Sequence, residues 1–340
     1  MKKEIDISEN ELLRQSEGLL QKLLLDHTTQ KNIFWATDDY ATLGEEFHYY
    51  APITIDCITG KHGSVIQPRV LKTKEEQINR TKDKAEVFTP SWVCNIQNNL
   101  IDEAWFGRKD VFNLEHPESK TWSATTEPVI FPEDRTWKDY VRSTRMEITC
   151  GEAPYLVSRY DTTTGEFIPI PQRIGMLDRK LRIVSENTSN TGEWLKMAQE
   201  AYKNIYAYEW QGDSLLLARE ALLITFIEYY EAKFGKRPLD KSIDYIAYII
   251  SWNVWQMDGL KGVVPNSCKC DKSGNLFGEL NGDVQTMFGE DGTTILCSGC
   301  QKGSIKEHNG VYCLIRDWGA KDSQTEENNR KIRFIDLIKQ

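Results

Sequence analysis

The chain has 340 residues, 40% of them hydrophobic, enough to bury a full core in one large domain or two smaller ones. Its longest near-apolar stretch, Tyr245 to Trp255, is far shorter than the roughly 20 residues of a membrane helix. Polar and charged residues also occupy the N-terminus where a signal peptide needs an apolar core, so a cytoplasmic protein without a membrane span is expected. The net charge of -9 excludes a surface that is basic all over, and any nucleic-acid contact needs a local patch.

Ser8 and Glu11 have capping-box spacing, and Leu12, Leu13, Leu19, Leu20, Leu23 and Leu24 recur at helical intervals, which predicts an amphipathic helix over 8 to 25, a lid or partner helix. From Asn32 to about Val70 the pattern is β-rich and irregular, with Ile33-Phe34-Trp35 and Ile53-Thr54-Ile55 as short strands. Seven basic residues lie between Lys61 and Lys84 against Glu75, Glu76 and Asp83, a net of +4, and a second basic run extends from Arg173 to Arg182. Either run is a DNA-binding patch or a solvated face. A helix is expected from Thr89-Pro90-Ser91 to about Ala104, and a long loop over 108 to 136, which is polar and lacks a period. Beyond it the expected elements are a strand at Arg145 to Thr149, a helix at Glu193 to Lys203 and a strand at Ile205 to Glu209. A long helix at Ser214 to Phe234 follows, then a helix or helix-plus-strand at Ser242 to Asp258. Alternating strands and helices mean a sheet covered by helices.

Three segments carry a family resemblance. Lys84-Ala-Glu-Val-Phe-Thr-Pro-Ser-Trp-Val-Cys-Asn95 resembles the (G/A)-E-V-F-T-P-x-x-[LV]-V element of adenine-specific (N6) DNA methyltransferases, including restriction-modification M subunits; Cys94 fits no rule of that family. The resemblance implies that Phe88, Thr89 and Pro90 border the methionine end of S-adenosylmethionine. Glu147-Ile-Thr-Cys-Gly-Glu-Ala-Pro-Tyr-Leu156 is similar to the family's strand, glycine turn and helix start, with Cys150 and Gly151 matching, Glu147 in place of an aspartate and Ala153 in place of a second glycine. A glycine there lets the backbone approach the cofactor closely. Ile205-Tyr-Ala-Tyr-Glu-Trp-Gln-Gly-Asp213 resembles the second strand, which implies that Glu209 accepts the ribose hydroxyls and Trp210 packs on adenine. Between Gly151 and Glu209 the chain is about 40 residues longer than a bare strand-turn-helix-strand requires, an insertion at about 160 to 192 that would hang basic residues near the cofactor cleft. Ser251-Trp-Asn-Val-Trp-Gln-Met-Asp258 resembles the third element, and in another alignment Asp258 is the ribose acid; Glu209 and Asp258 both stand as candidates.

The family's [DN]-P-P-[YF] tetrapeptide, which holds the flipped adenine and its exocyclic amine, is not in the sequence. Either the catalytic half is lost or on another polypeptide, with Arg333-Phe-Ile-Asp-Leu-Ile338 as the strand leading toward it, or Asn32 to Tyr40 is a permuted, altered version, with Asp38 as amine acceptor and Tyr40 as stacking ring. A strand end followed by a turn is the bland reading of the same residues.

Five of the eight cysteines crowd into the last quarter. Cys268-Lys-Cys270 and Cys297-Ser-Gly-Cys300 are two close pairs able to present four thiolates to one structural zinc, with His308 and Cys313 as substitutes. The metal would hold a glycine-rich hairpin containing Gly274, Gly278, Gly282, Gly289 and Gly292.

Together these features predict an α/β protein: a Rossmann-like methyltransferase sheet at 85-262 with a helical and β extension at 1-84 and a zinc-ribbon-like module with a C-terminal strand at 263-340. The expected function is DNA adenine N6 methylation, alone or as half of a split enzyme, with DNA and a catalytic, nuclease or specificity subunit as partners. The alternative is a non-catalytic S-adenosylmethionine- or DNA-binding subunit. The acceptor could also be RNA or protein, because a cofactor fold does not specify it.

Overall fold

A computed structural model describes residues 7–84, 88–268, 297–319 and 330–338. The chain forms a mixed α/β structure in two compact units, the first built from Met1–Asp26 and Lys31–Trp255, the second from His27–Gln30 and Gln256–Gln340. The boundary thus falls a few residues before the expected one at 262, and the 1-84 extension is not a separate body.

The N-terminal leucines form two helices, α1 (Glu9–Gln15) and α2 (Glu17–Leu24), because Ser16 is fully extended at φ -167° and interrupts the single helix that the periodicity predicts. The side chain of Ser8 makes no capping bond, so its spacing to Glu11 is fortuitous. Leu19, Leu20, Leu23 and Leu24 are buried. A two-residue ladder joins β1 (Leu25–Asp26) to β2 (Lys31–Asn32). The strands expected at 33–35 and 53–55 reduce to one antiparallel bridge between Phe34 and Pro52, and Ile55 instead begins the short helix α3 (Ile55–Ile58). Helix α4 (Lys74–Lys84) precedes α5 (Ser91–Phe106), the latter as expected. The expected loop contains an antiparallel hairpin, β3 (Asn113–His116) and β4 (Thr121–Ala124), turning at Pro117–Lys120. Helix α6 (Trp137–Arg142) carries a true capping box through Thr136 and Asp139.

Strands β5 (Arg145–Glu147), β6 (Ile205–Glu209) and β7 (Val254–Gln256) form the principal sheet in the order β5-β6-β7, with β5 and β6 parallel. Between β5 and β6 run α7 (Met176–Asn187) and α8 (Thr191–Lys203); between β6 and β7 run α9 (Gly212–Phe234) and α10 (Asp240–Asn253). Helix α9 is buried on nearly every side, as expected for a central helix apolar all round. Its Arg219 is fully buried and donates to the carbonyls of Leu23 (2.5 Å), Leu25 (3.0 Å), Val254 (2.8 Å) and Ser251 (3.3 Å), tying the leucine helix to α10. Those four carbonyls lie at element ends, where no intrahelical partner exists, and one guanidinium satisfies them together.

Helix α5 faces inward with polar residues. Asp102 accepts from Arg179 (2.5 Å) and from the Tyr140 hydroxyl (2.7 Å), while Arg179 also donates to Asn95 (2.9 Å) and Asn99 (2.8 Å). Asn98 donates to the carbonyls of Tyr155 and Ile174, both at 3.0 Å. The second unit contains α11 (Ser298–Lys302) and the antiparallel pair β8 (Leu314–Asp317) and β9 (Arg330–Arg333). The segment 333–338, expected as a strand, leaves β9 at Arg333 and coils into a tight turn over Phe334–Leu337.

Candidate cofactor site and metal centre

Because β5 and β6 are parallel, with Glu147 opposite Ala207, their carboxyl ends open on the same edge of the sheet, the edge where open α/β sheets hold ligands. The turn beyond β5 has positive φ at Thr149 (46°), Gly151 (53°) and Ala153 (59°). A β-branched residue rarely adopts this region, and such positions cost about 1–3 kcal/mol each and cluster at binding sites. A Cβ on Gly151 would meet nothing within 4 Å, so it is the backbone angle that calls for glycine there. Ala153, where a second glycine is expected, holds the same left-handed angle.

The amide of Gly151 donates to Glu209 Oε2 at 2.8 Å, and the other oxygen accepts from the amides of Trp210 (2.8 Å) and Gln211 (3.3 Å). Two motifs 58 residues apart in sequence are joined by this bond. Burial pushes the Glu209 carboxyl up, while the three amides pull the other way. Glu147 at the end of β5 is also buried; it accepts from the amides of Tyr155 (3.3 Å) and Leu156 (3.1 Å), and so closes the turn from inside.

The Phe88-Thr89-Pro90 segment lies against the same turn. Pro90 precedes the first turn of α5, whose first amide, Ser91, donates to Asp161 (2.7 Å), and Cys94 Sγ donates back to the Thr89 carbonyl (3.7 Å). The guanidinium of Arg69 sits 4.6 Å above the Phe88 ring. Burial, reinforced by Glu147, pushes the Cys94 thiol up to about 12, so Cys94 is no nucleophile at neutral pH. Cys150 is buried too. The Trp210 indole donates to the Tyr49 hydroxyl at 3.0 Å and is half-buried. Phe88, Thr89, Pro90, Cys150, Gly151, Glu209 and Trp210 therefore all belong to the first unit.

Asp258 does not: it lies in the second unit, past the end of β7. Its buried carboxylate is used locally, accepting from the amide of Leu260 (3.0 Å) and pairing with Lys261 (3.2 Å). Asp38 accepts from the amide of Tyr49 at 3.0 Å. The hydroxyl of Tyr40 donates to Asp213 (2.7 Å) and accepts from Lys72 (3.1 Å), while its ring packs 4.8 Å from Trp35. Asp213 further pairs with Arg80 at 2.9 Å. Burial alone would raise this carboxyl, but Arg80 and Lys72 beside it hold it well below the usual range.

The basic run at 173 to 182 turns inward, which corrects the expectation of an insertion presenting basic residues to the cleft. Arg173 pairs with Glu228 (2.6 Å), Arg179 with Asp102, and Lys180 donates to the carbonyls of Val141, Ser143 and Asn204. Arg182 binds Glu186 (2.7 Å) and the carbonyls of Phe112 and Thr125. In the first segment Arg69, Lys72 and Arg80 make internal bonds, whereas Lys61 and Lys74 are exposed.

In the second unit the ligand atoms of Cys268, Cys297, Cys300 and His308 all lie within 4.8 Å of one another. His308 Nδ1 is 3.6, 3.5 and 3.6 Å from the sulfurs of Cys268, Cys297 and Cys300. A tetrahedral ion with metal–sulfur bonds of about 2.3 Å and a metal–nitrogen bond of about 2.0 Å has sulfur–nitrogen edges of about 3.5 Å, so the cluster can bind zinc. Two glycines make room for it. A Cβ on Gly299 would stand 2.7 Å from His308 Nδ1, and one on Gly310 would stand 3.1 Å from Cys268 Sγ. Cys270 and the glycines at 274, 278, 282, 289 and 292 lie outside the described residues. Cys313 is buried apart from the cluster and donates to the carbonyl of Gln256 at 3.4 Å.

Sequence reading misses the Arg80–Asp213–Tyr40–Lys72 cluster, whose members are up to 173 positions apart and share no motif. Among the described residues no helix is long and apolar enough to cross a membrane. The chain matches no protein-family model, no curated protein and no solved structure.

Proposed function

We propose that the first unit binds S-adenosylmethionine at the carboxyl edge of β5 and β6, and that the chain is the cofactor-holding part of a DNA adenine N6-methyltransferase of restriction-modification type. The observation that carries the reading is the bond from the Gly151 amide to the Glu209 carboxylate, which puts the glycine turn and the acid of two separate motifs at one site. The strand order β5-β6-β7 with helices between, and the strained turn after β5, agree with one half of a dinucleotide-type fold. In this reading Glu209 Oε2, with one protein donor, accepts from the ribose, Trp210 packs on adenine, and Phe88 to Pro90 border the methionine end. The bound cofactor would supply an electrophilic methyl group; the chain's residues orient it. Zinc held by Cys268, Cys297, Cys300 and His308 would be structural, since four protein ligands leave no open position.

The sequence lacks Asn-Pro-Pro and Asp-Pro-Pro, and Tyr40 is engaged with Asp213 and Lys72, so in this reading the adenine-binding block is taken from outside these residues, on a second subunit. The inward-facing arginines favour a second reading, a cofactor-binding subunit without transfer activity. Calorimetric titration with S-adenosylmethionine tests the core of both. Glu209→Gln should weaken binding at least about tenfold, the loss of one charged hydrogen bond, and Asp258→Ala should leave it unchanged. A folded chain that does not bind the cofactor removes the proposal, and methyl transfer to DNA by the chain alone removes the second polypeptide from it.

A further inference from the structure

The segment from Arg69 to Arg80 touches both the turn after β5 and the start of α9. At one end the Arg69 amide donates to Glu152 Oε1 at 2.6 Å, next to Gly151. At the other, Arg80 donates to Gln211 Oε1 at 2.5 Å and pairs with Asp213 at 2.9 Å and Asp39 at 3.0 Å, just beyond Glu209. Internally the segment is braced into one piece. Thr73 and Glu76 form a reciprocal cap at the start of α4, the side-chain Nε2 of Gln77 donates to the carbonyls of Arg69 (3.0 Å) and Lys72 (2.9 Å), and the Arg69 guanidinium donates to Thr81 (2.6 Å).

What is lacking is an apolar anchor. Ile78 is the one large apolar residue of α4, and it is 52% exposed; Leu71 just before the helix is 47% exposed. Among the described side chains of α4, Arg80 alone is buried. Helices in proteins are normally held by an apolar face, so a segment docked through Lys72 and Arg80 on one buried carboxylate is a part that can be released whole. We infer that residues 69–80 form a strap from Glu152 to Asp213, the residues flanking the bonded Gly151–Glu209 pair, latched by Arg80 and Lys72 on Asp213, and that the latch governs exchange of whatever binds at that edge of the sheet. The strap itself stands on these contacts; that its cargo is S-adenosylmethionine rests on the function proposed above.

Hydrogen exchange followed by mass spectrometry on the full chain, without ligand, tests the latch. Asp213→Asn removes the charge that Arg80 grips. The double variant Arg80→Gln, Asp213→Asn removes both charges, so that no arginine is left buried without its carboxylate. In either variant exchange over 69–84 should quicken at least about tenfold, while 91–106 and 212–234 keep their protection. Unchanged exchange over 69–84 would overturn the latch, and so would a quickening spread equally over all three segments, since the cluster would then be general scaffolding. A second arm, stopped-flow binding of S-adenosylmethionine, should show both association and dissociation faster in the double variant. Absence of cofactor binding in parent and variant alike would defeat the proposed function and leave the exchange result to decide the strap.

Discussion

Gly212 opens α9 three residues after Glu209, and its amide donates to the carbonyl of Trp35 at 3.0 Å. A Cβ at this position would stand 2.1 Å from the Phe34 carbonyl oxygen and 2.9 Å from Ile53 Cδ1. The first distance is more than about 1 Å short of a normal contact, and the obstacle is backbone, so the helix start must move. Overpacking of this kind costs about 1–3 kcal/mol, and the strained amide bond to Trp35 adds about 1 kcal/mol. Gly212→Ala should therefore cost about 3 kcal/mol, a fall of about 6–12 °C in Tm for a unit of this size. Gly18→Ala is the matched control. Gly18 lies within α2, and its nearest obstacle, Ser16 Oγ, is 3.8 Å away, so alanine should stabilise by about 0.5–1 kcal/mol. Thermal melts followed by circular dichroism read both. A Gly212→Ala protein melting within about 2 °C of the parent, or a Gly18→Ala protein losing as much as Gly212→Ala, would refute the packing of α9 on the Phe34 backbone.

The metal centre predicts about one zinc per chain by elemental analysis, lost on chelation or in Cys300→Ser and His308→Ala, and retained in Cys313→Ser. A folded, stable protein with no metal would eliminate the site. Glu147 makes a pH prediction, since burial pushes its carboxyl well above the usual value against the pull of the Tyr155 and Leu156 amides. A carboxyl raised in the folded state holds its proton more tightly there, so stability rises as pH falls through the raised value toward about 4.3 and is level below it. Glu147→Gln lacks this contribution. Its Tm relative to the parent should be most favourable at pH 8 and decline steadily to pH 5; a constant difference would show that Glu147 is not desolvated.

Local signals carried a good part of the fold. Pro90 before a helical pattern marked the start of α5, and the β-branched and aromatic run at 205 with the long apolar stretch after it marked β6 and α9. Of the three cysteines in the metal cluster, Cys297 and Cys300 are legible from Cys-x-x-Cys spacing and Cys268 from its Cys-x-Cys pair with Cys270; His308 is visible as a substitute ligand. Failures arose where distant partners decide the outcome. The arginines at 173 to 182 read as a surface run because charge is normally solvated, yet each meets a carboxylate or a row of carbonyls supplied from elsewhere in the chain. Asn95, Asn98 and Asp102 erased the apolar stripe that would have shown which face of α5 points inward. Ser16 broke a helix that leucine periodicity runs straight through, since the pattern of burial survives the break.

Arg219 reaches back 196 residues to the carbonyl of Leu23. During synthesis at about 5–20 residues per second, the leucine helix emerges on the order of ten to forty seconds before the guanidinium that ties it down. Through that interval Leu19, Leu20, Leu23 and Leu24 have neither α9 nor α10 to pack on, so the nascent chain carries a bare apolar surface along α2. Closure of the loop from Leu23 to Arg219 is therefore a late event, and covering the leucine face until α9 and α10 have been made should raise the yield of folded chain.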